Sequence, residues 1–376
     1  LRIRNHADTA PERNLPFSSK YLKEAYQLGA EKIGWSERNP APRSMQENGM
    51  LVGYGMSSGT FGAYRGKATA SATLKADGSL VLQSAVSDIG PGTGTAMVQI
   101  AADATGIAPE KIKFMLGESV YPDAPKQGGS STVSTVGSVV SDVCKALQQK
   151  LGELAAAHVP AFKNAAAEGI VYEEGQLILA ADKSVKIPYE EVLRIQQLPE
   201  LQVTATSQPG NERQKYSMYS FSVHFAKVHV DPATGVVRVK HVVSVADAGT
   251  VVNAKTSRSQ MIGGVVGGLG MALTEEAIMD HRFGRFVNNN YADYHVPVNA
   301  DTPPTDVYFI NKKDPYINPM GSKGLGEIAL IGFAAAVANA VFHATGKRVR
   351  DLPITPDKVL DETAYAQWNQ EHKTTT

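Results

Sequence analysis

The spacing of apolar positions changes several times along the chain, and each change predicts a new element. Over residues 18–36, Tyr21, Leu22, Ala25, Tyr26 and the run from Leu28 to Ile33 recur at the spacing of one helix face. The Pro-rich stretch "RNPAPRSMQENG" (38–49) breaks that pattern and predicts a connection. From residue 66 the spacing becomes an alternation around Asp77 and Gly78, which predicts a hairpin. A glycine-rich loop, "DIGPGTGT" (88–95), leads into "AMVQIAADATG", a predicted helix ending at Gly106. The clearest helix follows, where Val133, Val136, Val140, Val143, Leu147, Leu151 and Leu154 form one stripe. A strand-turn passage (170–187) precedes a short helix opened by Pro188. A second hairpin is predicted over 224–249 around "DPATG", and "SQMIGGVVGGLGMALTEEA" (259–277) reads as a glycine-rich helix. The last apolar run, "IALIGFAAAVANAVFHATG" (328–346), predicts a buried core helix. It contains Asn339 and His343 and lacks the roughly 18–20 uninterrupted apolar residues of a membrane span. The closing "HKTTT" is expected to fray.

Strand, turn, strand, loop, helix thus occurs twice, which predicts an α+β chain of two similar lobes. The expected division is a helical and Pro-rich connecting segment at 1–50, a first lobe at 51–215, and a second lobe with the C-terminal tail at 216–376. The chain has 376 residues with 37 Lys plus Arg against 37 Asp plus Glu. That balance gives no electrostatic footprint for nucleic acid or an anionic membrane. A single cysteine, Cys144, excludes an internal disulfide framework and any four-thiolate iron–sulfur or zinc site within the chain. The opening "LRIRNHADTAPERNLPFSSKYLKEA" lacks an initiator Met and reads as an excerpt from a longer protein. Compartment stays open, with the cytoplasm favoured over the periplasm.

Several stretches carry candidate chemistry. In "QGGSST" (127–132), two glycines and three hydroxyls sit where the long helix begins, so unpaired N–H groups and the helix dipole favour an anion there. An ordinary N-cap explains the same residues. "GPGTGT" (90–95) is neither a Walker motif nor a GxGxxG fingerprint. It is either a tight turn or a second wall of a pyrophosphate site built from backbone and hydroxyl groups. "GGVVGGLG" (263–270) lies inside a helical pattern, where each Gly costs roughly 1 kcal/mol relative to Ala. Close backbone approach, by a neighbouring helix or a ligand, must offset that. His224, His229 and His241 are not at metal-ligand spacing and His343 lies in an apolar helix, so structural roles are expected. In "GSKGLGE" (321–327), three glycines deliver Glu327. It is either a first-turn acid of the following helix, worth about 0.3–1 kcal/mol, or a general base desolvated by the apolar run behind it.

"DIGPGTGT…QIAADATGI", "QGGSSTVSTVGS", "GGVVGGLGMALTEE" and "GSKGLGE", in that order, resemble the molybdenum hydroxylases. The match is to the C-terminal half of the molybdopterin-binding large subunit of the xanthine dehydrogenase/aldehyde oxidase family, in an aldehyde-oxidase-like bacterial subgroup. The resemblance covers essentially the whole chain and implies that the two lobes bind a molybdenum–molybdopterin cofactor, expected in a dinucleotide form. It implies a metal held by the pterin rather than by protein ligands, in keeping with the lone Cys144. It implies Glu327 as the base that takes a proton from metal-activated water during hydroxylation of an aldehyde to a carboxylic acid, or of an N-heterocycle. Gly128, Gly129, Ser130, Ser131 and Thr132 match the cofactor-clasping segment, and Gly90, Pro91 and Gly92 a second contact loop, where Pro91 replaces a common Gln. Gly267 stands where another Gln is common, and Lys323, Gly324 and Gly326 flank the base. Phe61 falls near the place of a pocket aromatic. The implied partners are the N-terminal half of the same subunit, and subunits or domains carrying iron–sulfur clusters and FAD. The alternative is a binding or assembly module, or an inactive fragment, that keeps the fold without catalysis.

Overall fold

The computed structural model describes residues 1–163 and 165–360. Two main sheets, each a hairpin extended on both sides, organise the chain. In the four-stranded sheet the central hairpin is Ala68–Lys75 and Leu80–Gln83. Glu200–Ser207 pairs antiparallel with its first strand and Ile112–Met115 parallel with its second. In the five-stranded sheet the central hairpin is Tyr219–Val230 and Val237–Asp247. Met50–Gly62 pairs antiparallel with its first strand, Thr305–Phe309 parallel with its second, and Gln46–Glu47 extends the edge. A parallel neighbour needs a crossover. The helices Thr93–Thr105 and Ala254–Leu273 supply it, and a second helix follows each parallel strand, Thr132–His158 in one half and Phe333–Thr345 in the other.

The long helix carries its predicted stripe into the first core: Val136, Val140, Val143, Leu147 and Leu151 are fully buried against Leu74, Leu80 and Leu82 of the four-stranded sheet. The five-stranded sheet is covered on both faces. The helix Phe333–Thr345 packs one face through Val337, Ala340 and Val341, while Leu22–Ile33 covers the other through Ala25 and Tyr26. Its central strand, Tyr219–Val230, is therefore buried almost continuously rather than at alternate positions. A small sheet of Ile170–Glu173, Gln176–Leu179 and Asp182–Pro188 precedes the short helix Tyr189–Ile195, which Pro188 caps.

Three expectations change. The first helix starts at Leu22 rather than 18, because Ser18 and Ser19 donate their hydroxyls to Asp314 and the Tyr21 N–H goes to Asp247. The apolar run at 328–346 becomes helix only from Phe333, after Gly332 at φ 91°. Residues 328–332 turn instead, with Ser222 Oγ donating to the Ile328 carbonyl (3.0 Å) and Ser57 Oγ to that of Gly332 (2.7 Å). Met50–Gly62 pairs along its length with Tyr219–Val230, so one sheet runs across the expected division at 215/216. The "HKTTT" end lies outside the described residues. Among the described residues, no helix is long and apolar enough to cross a membrane.

Candidate functional site

In both halves the hairpin's second strand leads into a loop that enters a helix. The two loops face each other across a cleft of about 230 Å³. In the first, Asp88 accepts the N–H groups of Gly90 (2.9 Å) and Thr93 (3.0 Å), folding "DIGPGTGT" onto the helix start. Gln127 ties this loop to the next one, accepting the Ile89 N–H (2.7 Å) and donating to Thr93 Oγ1 (3.0 Å). In "QGGSST", Ser131 Oγ donates to the Gly128 carbonyl (3.0 Å), and Gly129 and Ser130 both take left-handed φ values, 61° and 52°. A left-handed Ser needs a local reason. Here the Ser130 hydroxyl accepts the Glu327 N–H (2.9 Å) and donates to Glu327 Oε2 (3.2 Å).

The Glu327 loop is fastened at its start as well. Lys323 N–H donates to the Ala248 carbonyl (2.8 Å). The Asn318 side chain accepts the Ser322 N–H (3.2 Å) and donates to Ser134 Oγ (2.7 Å). Glycine is required at 324, and the space at 326 is tight. A β-carbon at 324 would come within 2.6 Å of the Ser130 carbonyl oxygen, and one at 326 within 3.0 Å of Gln260 Oε1 and 3.2 Å of Ser130 Oγ. Glu327 itself is exposed, and 328–332 separate it from the helix. The first-turn role therefore does not apply, because the dipole effect falls off within one turn. The expected desolvation by the apolar run is also absent, since Ile328 and Ala329 are buried in a core cluster with Ala246 and Met261 while the carboxylate faces out.

The cleft wall holds Pro91, Gly92, Gly128, Gly129, Ser130, Thr132, Gly326 and Glu327. Gly90, Ser131 and Gly324 shape the loops behind it rather than lining it. The sequence reading missed the start of the helix Ala254–Leu273, where Thr256, Ser257 and Gln260 line the opposite wall. Asn253 caps that helix, accepting the Thr256 N–H (2.9 Å) and donating to Gln99 Oε1 (2.9 Å). An Asn followed by "AKTSRSQ" is a cap signal that sequence alone contains.

Two other expected contact residues are placed differently from the hydroxyl wall. The Lys323 side chain is buried, with Nζ donating to Ser19 Oγ (3.0 Å) and lying 3.6 Å from Asp247 Oδ1. Burial pushes its pKa down, against the opposing pull of Asp247 and then Asp314. Lys323 still borders the cleft, and its ammonium is a strut beneath the loop. Gly267 lies outside the cleft wall, and a β-carbon there would meet Leu330 at 3.3 Å. Its neighbours Gly264 and Gly268 pack on Ala329 and Phe333, so this glycine cluster serves close packing of the helix on 329–333. Phe61 packs beside Ala246, Met261 and Ile328, away from the cleft.

A family model described as the molybdopterin cofactor-binding domain matches residues 28–303. The chain is 36% identical over 365 residues to the aldehyde oxidoreductase molybdenum-binding subunit PaoC of Escherichia coli (strain K12), covering 96% of this chain and 48% of that protein. The chain belongs to the molybdenum hydroxylase family. This molybdopterin-binding chain is also 33% identical over 310 residues to the nicotine 6-hydroxylase large subunit of Paenarthrobacter nicotinovorans, covering 78% of this chain and 36% of that protein. It spans about half the length of PaoC, or less of other relatives. Among solved structures, a Cu,Mo-CO dehydrogenase superposes with TM-score 0.82 at 18% identity, covering all of this chain and 49% of that one. An aldehyde oxidoreductase from Desulfovibrio gigas gives 0.72 at 25%, covering 94% and 36%. The α+β architecture of two similar halves is thus that of known molybdenum-cofactor-binding domains.

The donor set fits such a cofactor. A β-carbon at Gly128 or Gly129 would meet nothing within 4 Å, so their backbone faces open cleft. Hydroxyls of Thr93, Ser130, Thr132, Thr256 and Ser257 line it, and the Ser322 hydroxyl, buried there, has no partner. Such a wall suits phosphate and pterin groups held by neutral donors. Among the described residues, no cluster of three His, Cys, Asp or Glu is arranged to hold a metal.

Proposed function

We propose that this chain is the cofactor-cradling part of a catalytic subunit that hydroxylates an aldehyde to its carboxylic acid, or an N-heterocycle, with water as the oxygen source. When bound, the molybdenum cofactor supplies the two-electron acceptor and activates the water. The loops "DIGPGTGT" and "QGGSST" and the helix start at Asn253 would hold the pterin and the pyrophosphate of a dinucleotide form through N–H groups, hydroxyls and amides. Pro91 itself offers neither an N–H nor a side-chain amide, and Gln127, Asn253 and Gln260 are the side-chain amides that line the cleft. Glu327 accepts the proton of the attacking water at its carboxylate. Electrons leave through iron–sulfur and flavin groups on partner subunits or domains, and the N-terminal half of the subunit closes the open side of the cleft.

The single observation that carries this reading is the Ser130–Glu327 pair, in which one hydroxyl holds both the N–H and the carboxylate of Glu327 against the cofactor loop. A carboxylate fixed at the lip of an anion cradle is placed to take a proton from whatever the cradle presents. The names of PaoC and of the Desulfovibrio gigas enzyme support an aldehyde as substrate, and nicotine 6-hydroxylase supports the heterocycle. The test is Glu327→Gln in the complete protein. Molybdenum and pterin content should stay at wild-type level while kcat falls by about 10²–10⁴-fold. Wild-type turnover at full molybdenum loading would overturn the assignment of Glu327 as the base, whereas a complete protein that holds no molybdenum would favour the assembly-module reading.

A further inference from the structure

The five-stranded sheet buries a polar cluster in the middle of its apolar core. Ser222, His224 and Ser244 are each 0% exposed, on the paired strands Tyr219–Val230 and Val237–Asp247. Three polar side chains so placed need partners, and their bonds run in one direction. Ser222 Oγ donates to the Ile328 carbonyl at 3.0 Å. Having given its proton there, it accepts from His224 Nε2 at 3.0 Å, which fixes the ring as the Nε2–H tautomer. His224 Nδ1 is then an acceptor and takes the Ser244 hydroxyl proton at 2.9 Å. Burial pushes the His224 pKa down to about 4, opposed by bonding to the Ile331 and Ile328 backbone, so the ring is neutral at working pH. Phe333 closes the ring from the side, edge to face at 6.0 Å.

This row of hydrogen bonds ends on Ile328, the residue after Glu327. The stretch 328–332 precedes the helix, and its Ile328 and Gly332 carbonyls are taken by Ser222 and Ser57. Glu327 is thus gripped from two sides, its N–H by Ser130 above and the next carbonyl by Ser222 below. We infer that Ser222 and His224, with Ser244 behind them, are positioning residues that hold the peptide after Glu327 so that its carboxylate keeps its place at the cleft. This rests on the reading of Glu327 as the base. A displacement near 1 Å at a reacting group lowers a rate by about 10²-fold, which sets the scale of the effect.

The test uses Ser222→Ala in the complete, molybdenum-loaded protein, with two independent readouts. Hydrogen exchange of a peptide spanning 325–333 should become about 10-fold faster while the long helix Thr132–His158 is unchanged. Turnover should show kcat lowered by about 10–100-fold with KM within about twofold. In the Glu327→Gln background the same substitution should cause no further loss, because the hydroxyl acts through a carboxylate already removed. Unchanged exchange at 325–333, or losses that multiply in the double variant, would overturn the inference. Wild-type turnover in Glu327→Gln alone would instead remove the base reading, and the exchange readout would still decide whether Ser222 holds the loop. Should Ser222→Ala fail to fold, Ser244→Ala frees the far end of the chain and is read the same way, with a smaller rise in exchange.

Discussion

The two halves carry the same short pattern where the second hairpin strand ends: Val86, Asp88, Gly90 in one and Val245, Asp247, Gly249 in the other. Both glycines have positive φ, 111° and 71°, so the chain turns at the same place. The aspartates then diverge. Asp88 bends back to take two N–H groups of its own loop, which shapes the wall of the cleft. Asp247 takes the Tyr21 N–H at 2.7 Å and faces the Lys323 ammonium at 3.6 Å, which steadies the loop carrying Glu327. One acceptor serves its local turn and the other a distant cation, and the neighbours make the difference. The second pair of loops diverges likewise. "QGGSST" passes straight into its helix, whereas 328–332 separate "GSKGLGE" from its own and let Glu327 reach across to Ser130.

The largest effect should come from breaking the buried pair. Lys323→Met leaves Asp247 and Asp314 buried without their cation and should cost about 3–5 kcal/mol, read as loss of stability in denaturant. Adding Asp247→Asn should restore much of it, and no recovery would mean that Asp247 is not the partner that matters. Next comes acid stability, which separates the sheets because the five-stranded one buries His224 and the four-stranded core, among described residues, buries no histidine. The unfolded chain takes up a proton near the ordinary pKa of 6.5, while the folded His224 resists it down to about 4. Stability is therefore full above pH 6.5 and falls as pH drops toward 4, by an amount on the order of 3 kcal/mol. In His224→Phe that slope should flatten, as followed by unfolding at a series of pH values. The smallest effect belongs to Asp88→Ala. Its carboxylate is exposed, so the fold should lose only about 1 kcal/mol, while pterin retention on gel filtration drops several-fold. Unchanged pterin content would mean that the first loop keeps its shape without the aspartate.

Much of this was legible in the chain. The stripe from Val133 to Leu154 fixed the long helix, and the loops around Gly90, Gly129 and Gly324 announced themselves because few other residues tolerate their turns or close approaches. Glu327 stood out for the same reason. The pairing of Met50–Gly62 with Tyr219–Val230 was hidden, since alternation reveals which side faces a core but not which strand lies alongside. The helix start at Phe333 was hidden because 328–332 are as apolar as the helix itself, and only the hydroxyls of Ser57 and Ser222 draw them into a turn. Lys323 was expected as a ligand contact on the resemblance alone, and its inward turn was hidden because a lysine is seldom fully buried. Its partners Ser19 and Asp247 come from distant parts of the chain.

The inward turn of Lys323 also bears on how a bound phosphate would respond to its medium. Anions held by ammonium or guanidinium groups are loosened by dissolved salt, which screens charge over about 8 Å at physiological strength. Apart from the Glu327 carboxylate, the polar wall this chain offers is made of N–H groups, hydroxyls and amides, and the lysine at its floor points its charge into the protein. Such dipoles act at contact distance, where no counterion can intervene. The chain's own share of the grip should therefore persist through a high-salt wash, with release governed by how fast the loops part rather than by ionic competition.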